Sequence, residues 1–421
     1  MREEYKDTPI GMIPEEWELT KIGSICNVRR GASPRPINDP KWWGGSVGWV
    51  RISDVTSTKK YLTKTNQYLS SEGVTKSVQI PIGEVIVSIC ATIGKPVIMK
   101  MDACIHDGFV WFEGLKDNIN REFLYYFFLL KQDYLASTRQ TGTQGNLNTT
   151  IVGELNLPLP SFTEQSKIVS ILCTVDDKID AINERITQTQ QLKNGLMQRL
   201  LTRGIGHTKF KDSPLGEIPE SWEVKRLINI CKMITDGSHY SPKPMKESGF
   251  YIATVKDMQE SSFDLSTCAR ISITDYDLLV RNGCKPKQGD VLFSKDGTIG
   301  KTFVFKGKQD LVILSSIAII EPNPDFLFSD FLSQYLKSSV FLDQLEGLKS
   351  GSAIRRLVLK AIKEIKVLLP SSIEEQQKIS SILNSSDEKV EVLQEKKNKY
   401  EQLKKGLMQQ LLTGKIRVST N

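Results

Sequence analysis

Between Glu164 and Leu201 the apolar residues Ile168, Leu172, Val175, Ile179, Ile182 and Ile186 recur at alternating steps of three and four. That spacing predicts a helix with a narrow coiled-coil seam rather than a strand. The pattern returns between Glu375 and Leu412, as Ile379, Leu383, Ser386, Val390 and Leu393. Both runs then re-phase onto leucines, Leu192, Leu196 and Leu200 in the first and Leu403, Leu407 and Leu411 in the second. They close on Gly195-Leu196-Met197-Gln198 and Gly406-Leu407-Met408-Gln409. A helix of roughly 38 residues is a rod about 57 Å long, too long to cover its own seam by folding back. The matching partner within the chain is its own copy, so the two helices are expected to pair. Gly195 and Gly406 each cost a helix interior about 1 kcal/mol relative to alanine. Close helix approach, docking of another subunit, or a fray common to both copies would each account for them.

The duplication extends beyond the rods. Ile13-Pro14-Glu15-Glu16-Trp17 returns as Ile218-Pro219-Glu220-Ser221-Trp222, and Thr92-Ile93-Gly94-Lys95 as Thr298-Ile299-Gly300-Lys301. A Gly-rich loop at Thr141 to Gly145 has a counterpart at Ser350 to Ser352. Between these markers β-branched runs predict strands at Val85 to Ile89, Pro96 to Met99, Val291 to Ser294 and Leu311 to Ile320. Helical patterns cover Arg121 to Leu135 and Ser329 to Leu345. The chain therefore reads globe, rod, globe, rod: 1–160, 161–205, 206–370 and 371–421. Each globe is expected to be a mixed α/β, or α+β, fold with a twisted sheet. Trp17 and Trp222 read as core anchors.

Composition narrows the functional classes. The chain is 39% hydrophobic and 25% charged, values of a globular protein, and its longest apolar stretch is far too short to span a bilayer. No apolar signal region opens the chain, which predicts a cytoplasmic protein. Seven scattered cysteines without a Cys-x-x-Cys pair argue for reduced thiols, and three widely separated histidines argue against a metal cluster. Gly300-Lys301-Thr302 resembles the end of a phosphate-binding loop, but Phe303 to Phe305 should continue as strand instead of helix. Asn323-Pro324-Asp325-Phe326 reads as a turn. No catalytic constellation is visible, and no cofactor loop.

A net charge of +7 permits polyanion binding where basic groups cluster. The two globes differ most in loops rich in Gly, Pro, basic and aromatic residues, as expected of one frame that recognises two different things. Arginine and lysine reach phosphates and guanine, amides pair with adenine, and glycine lets backbone approach a groove. In the first globe the candidate DNA contacts are Arg29, Arg30, Arg35, Lys41, Trp42, Arg51, Ser53, Lys95, Thr143, Gln144, Asn146 and Asn148. In the second they are His239, Tyr240, Lys243, Lys256, Lys295, Lys301, Ser352 and Arg355. For any one of them a solvated surface side chain is the plainer reading.

The Ile-Pro-x-x-Trp segments, the run from Lys41 to Asp54, the Thr-Ile-Gly-Lys turns, the passages from Pro160 and Pro370 to Glu164-Gln165 and Glu375-Gln376, and the Gly-Leu-Met-Gln helix ends together resemble the DNA-specificity subunit of type I restriction-modification systems. The similarity covers both halves. It implies two target-recognition domains, each reading half of a bipartite site in double-stranded DNA, and an antiparallel coiled coil acting as a ruler within an internal pseudo-two-fold duplication. It also implies docking of two methyltransferase subunits, for which Gly195, Leu196, Met197, Gly406, Leu407 and Met408 are the candidates. A motor and restriction subunit would join through the complex. S-adenosylmethionine, ATP and Mg would sit on the partners, none on this chain, and this chain would not be catalytic. Two other classes remain to be distinguished: a coiled-coil interaction scaffold without DNA specificity, and a nuclease whose acidic cluster forms only on folding.

Overall fold

A computed structural model describes residues 4–137, 147–246, 248–347 and 356–419. It resolves into two compact units. Unit 1 combines residues 1–183 with 395–421, and unit 2 comprises 184–394. Each unit thus holds one globe, half of the helix Phe162–Arg203 and half of the helix Ile373–Leu411.

In unit 1 the strands Asn27–Arg30, Phe109–Glu113, Val85–Ser88 and Pro96–Met99 pair antiparallel in that spatial order, and Tyr61–Leu62 joins the last in parallel. A second sheet sets Trp43–Val50 between Gln67–Leu69 and Ala103–Ile105, with Val78–Ile80 at its edge. Unit 2 repeats the plan with Cys231–Asp236, Ile317–Pro322, Val291–Ser294 and Thr302–Val304, beside a sheet of Ala269–Ile271, Phe250–Ala253 and Leu311–Ile313. The expected mixed α/β architecture is therefore present in both. The apolar stretch from Leu311 to Ile320 is not one strand. It breaks at Leu314 to Ser316, and its halves enter different sheets. The helix expected over Ser329 to Leu345 is likewise interrupted, giving Ser329–Tyr335 and Ser339–Gly347.

Rod and globe join in the same way in each unit. The indole N–H of Trp17 donates to Glu164 at 3.1 Å, and that of Trp222 to Glu375 at 3.2 Å. Buried Gln165 takes the Asn120 N–H and donates to the Pro160 carbonyl. Gln376 takes the Phe328 N–H, though its bond to the Pro370 carbonyl is longer, 3.4 Å. The Glu-Gln pair that opens each rod is thus a polar clasp with its hydrogen bonds met on both sides, buried throughout except for the partly exposed Glu375.

Within each unit the two helix halves run antiparallel. Lys404 meets Asp176 at 2.6 Å in unit 1, and Lys193 meets Asp387 at 2.5 Å in unit 2. Met408 and Leu411 share a core with Ile168 and Leu172, while Met197 and Leu200 share one with Ile379 and Leu383. The seam does not re-phase onto Leu192 and Leu403, which are 62% and 49% exposed. It continues through Thr189 and Lys193 instead, both buried, and through half-buried Tyr400 and Lys404. A charged seam position tolerates burial only when paired, and such a pair fixes register and direction.

Candidate nucleic-acid interface

The strand ends of both globes are built on the same backbone bonds. In unit 1, Gly31 N–H donates to Phe109 O, Ala32 to Ile105, Ile89 to Gly108 and Leu147 to Ile89, at 2.8–3.1 Å. In unit 2, Gly237 donates to Ile317, Ser238 to Ile313, Lys295 to Ser316 and Leu357 to Lys295, at 2.7–3.1 Å. A Cβ on Gly31 would lie 2.2 Å from His106 O, and one on Gly237 2.2 Å from Ile313 O, so only glycine lets the chain cross so closely.

The Thr-Ile-Gly-Lys turns belong to this frame. The buried hydroxyls of Ser88 and Ser294 take the N–H of Lys95 and Lys301 at 3.1 and 2.8 Å, and Gly94 and Gly300 have φ of +77° and +103°. The two lysine ammonium groups then donate to backbone carbonyls, Lys95 to Thr56 at 2.9 Å and Lys301 to Met258 at 2.8 Å. Burial lowers the Lys95 pKa. Both lysines pin a turn to a neighbouring loop, each through one of its ammonium donors. Thr302–Val304 continues Lys301 as strand, so no phosphate-binding loop forms there.

On this common frame the side chains differ. In unit 1 the centre is Asp107. It receives the Ser33 hydroxyl at 2.8 Å and the Arg35 guanidinium at 3.3 Å, while Arg30 Nε donates to its backbone carbonyl at 2.6 Å. Burial pushes the Asp107 carboxyl up, but the Ser33 hydroxyl and the charges of His106, Arg35 and Arg30 hold it below its ordinary value. Burial lowers the pKa of His106, whose Nδ1 accepts the Gly108 N–H at 2.6 Å and so carries no proton there. Arg29 pairs with Glu113 at 2.7 Å. Arg51 reaches Gln67 at 3.3 Å and lies over the Trp49 ring. Ser53 and Lys41 are exposed, the latter over the ring of Trp42.

In unit 2 the centre is a cluster of ion pairs. Lys295, 2% exposed, sits between Asp236 at 3.2 Å and Asp296 at 3.1 Å. His239 lies 3.3 Å from Asp236, and Arg356 lies 3.2 Å from Asp296. Tyr240, Lys243 and Lys256 are exposed.

Three further candidates have structural partners within the chain. Trp42 is buried, its indole donating to Pro36 O at 3.0 Å. Lys295 is withdrawn into its two carboxylates. Asn148 caps the helix Thr149–Gly153 by accepting the Ile151 N–H at 2.8 Å. Thr143, Gln144, Asn146, Ser352 and Arg355 lie outside the described residues. Sequence reasoning missed Asp107, Asp236, Asp296 and Arg356; the matched Gly31 and Gly237, each preceded by a charged residue, were the available signal.

On the rods, Met197 and Met408 are buried in the globe cores and Leu196 and Leu407 pack beside them, so these four anchor rod to globe. Gly195 and Gly406 are exposed, and a Cβ on either would meet nothing within 4 Å. Close approach within the chain therefore does not account for them.

Two copies of one frame with unlike polar groups on matching strand ends define a duplicated recognition module. The type I restriction modification DNA specificity domain matches residues 14–192 and again 219–402, and the chain belongs to that family. It is a non-catalytic specificity protein. It is 30% identical to a putative type I restriction enzyme MjaX specificity subunit of Methanocaldococcus jannaschii, over 99% of this chain and 98% of that protein. It is 24% identical to the EcoBI specificity subunit of Escherichia coli, over 87% of this chain and 78% of that protein. The S subunit of M. genitalium, a crystal structure, shares the fold with a TM-score of 0.56 at 14% identity, over 98% of this chain and 99% of that one.

Proposed function

We propose that this chain is the DNA-reading subunit of a type I restriction-modification assembly and that its two globes, 1–160 and 206–370, each read one half of a bipartite duplex target. The observation that carries this reading is the shared backbone frame bearing different side chains at the same strand ends. In the first globe Arg29, Arg30, Arg35, Lys41, Arg51 and Ser53 are the proposed contacts. In the second they are His239, Tyr240, Lys243 and Lys256. The rods, 161–205 and 371–421, set the gap between half-sites. Exposed Gly195 with Leu192, and Gly406 with Leu403, form two like patches on which two methyltransferase subunits dock. S-adenosylmethionine belongs to those subunits, ATP and Mg to the motor subunit that joins them, and the complex works in the cytoplasm.

Methylome sequencing of a host carrying this chain with its partner subunits tests the reading. Two short specific blocks separated by unread base pairs are expected, and exchanging residues 29–148 should alter one block alone. A single continuous motif, or changes in both blocks, would refute it. A scaffold without specificity would yield no motif.

A further inference from the structure

We propose that Asp296 is the base-reading carboxylate of the second globe, accepting a hydrogen bond from an exocyclic amino group, cytosine N4 or adenine N6, in its half-site. This rests on the DNA-reading role above and assigns one chemical contact within it.

The backbone frame places Lys295 and Asp296 where the first globe has Ile89 and Cys90. Ile89 fills its position as an apolar core residue. Replacing it by a buried ammonium demands counter-charges, and Asp236 and Asp296 supply them at 3.2 and 3.1 Å. A buried ion group of this kind is seldom more stable than an apolar filling, so stability alone does not explain it. Its effect is to hold the Asp296 carboxylate rigidly at the end of the strand Val291–Ser294, with one oxygen, Oδ2, fixed by Lys295.

The other oxygen, Oδ1, is buried and makes no hydrogen bond. Arg356 Nε lies 3.2 Å away, close enough to balance charge but not aligned to donate. An unmet buried acceptor is the group that gains most from a new donor. Lys295 and Arg356 balance the two carboxylates, so what the unmet oxygen still lacks is a hydrogen-bond donor, and a duplex offers one on a base edge. In the major groove that donor is an amino group. Arg356, more than half exposed, is free to turn from the carboxylate to a backbone phosphate as the base arrives. The first globe has the opposite polarity at this place, with Arg30 and Arg35 gathered on Asp107.

The test uses this chain assembled with its methyltransferase subunits and a randomised target library. With Asp296→Asn, discrimination at one base pair of one block should fall about tenfold or more, while the other block and the gap stay unchanged. With Asp296→Glu, the same base should remain preferred, more weakly. Retention of full discrimination by the Asn variant would overturn the proposal. A wild-type assembly without a two-block motif would instead overturn the DNA-reading role itself. Independently of any variant, wild-type protein is offered targets in which each adenine or cytosine of that block is replaced singly by an analogue lacking the amino group. One replacement should weaken binding about tenfold or more, and no loss at any position would refute the assignment.

Discussion

Replacing Glu164 by alanine should destabilise unit 1 by about 3 kcal/mol, most of it from groups left behind rather than from the side chain removed. Glu164 is 1% exposed and joins the start of the rod to the globe and to the chain's last residues. Its carboxylate accepts the Trp17 indole N–H at 3.1 Å and two bonds from Arg417 at 2.8 and 3.0 Å. Without it the Trp17 N–H, in a wholly buried ring, loses its acceptor, at a cost of about 1–3 kcal/mol. Arg417 is partly exposed and keeps Glu16 at 2.9 Å, so its share is held to about 1 kcal/mol. Trp17→Phe removes the donor and leaves the carboxylate on Arg417, but it also leaves part of a buried indole's space unfilled, for a loss of about 2–4 kcal/mol. The two changes share one bond, so the double variant should lose about 1 kcal/mol less than the sum. Urea unfolding followed by far-UV circular dichroism reads these as shifts in midpoint at constant slope. A loss below about 1 kcal/mol for Glu164→Ala, or strict additivity, would refute the reasoning.

Gly195→Ala and Gly406→Ala meet no steric barrier, so each should raise helix stability by about 1 kcal/mol in urea unfolding, while weakening methyltransferase docking in a pull-down if those faces are the contact. Deleting one heptad from both rods removes about 10.5 Å and should shorten the unread gap by about three base pairs in the methylome, leaving both blocks intact. Because burial lowers the His106 pKa, the unfolded chain takes up a proton below the ordinary value of 6.5 while the folded chain resists it, so stability falls as pH drops from there. His106→Gln should flatten that slope in urea midpoints measured from pH 7 to 5.5. Cys26 and Cys231, pushed up to about 12 by burial, should resist iodoacetamide at pH 8 until the chain is unfolded, as read by mass spectrometry.

The rods and their duplication were legible because a seam repeats over many turns, and the paired Trp and Glu-Gln positions could be matched by eye. Leu192 and Leu403 looked like seam residues because leucine is apolar, whereas the seam runs through Lys193 and Lys404. A lysine in that place has meaning only once Asp387 and Asp176 are known to face it from the antiparallel helix. Partners across the fold were equally hidden at the candidate interface. Charge in a loop was read as charge available to DNA, yet Lys95, Lys301 and Lys295 are spent on carbonyls and carboxylates of the frame.

The unlikeness of the two globes has a physical consequence that single-residue reading could not reach. The strand ends that carry Arg30 in one globe and Asp236 in the other are fixed by the same backbone bonds, so an exposed side chain such as Arg30 can change without disturbing the frame, whereas Asp236 is tied to buried Lys295. A frame whose polar satisfaction is carried by backbone and by Ser88 or Ser294 leaves an exposed strand-end side chain such as Arg30 free to vary. Specificity in such a protein can therefore change at low cost in stability. Arg30→Ala, whose guanidinium is exposed, should cost less than about 1 kcal/mol in urea unfolding. Ser88→Ala, which removes a buried hydroxyl from the turn, should cost more, about 1–3 kcal/mol. The reverse order of losses would show that the frame and the reading groups are not separable.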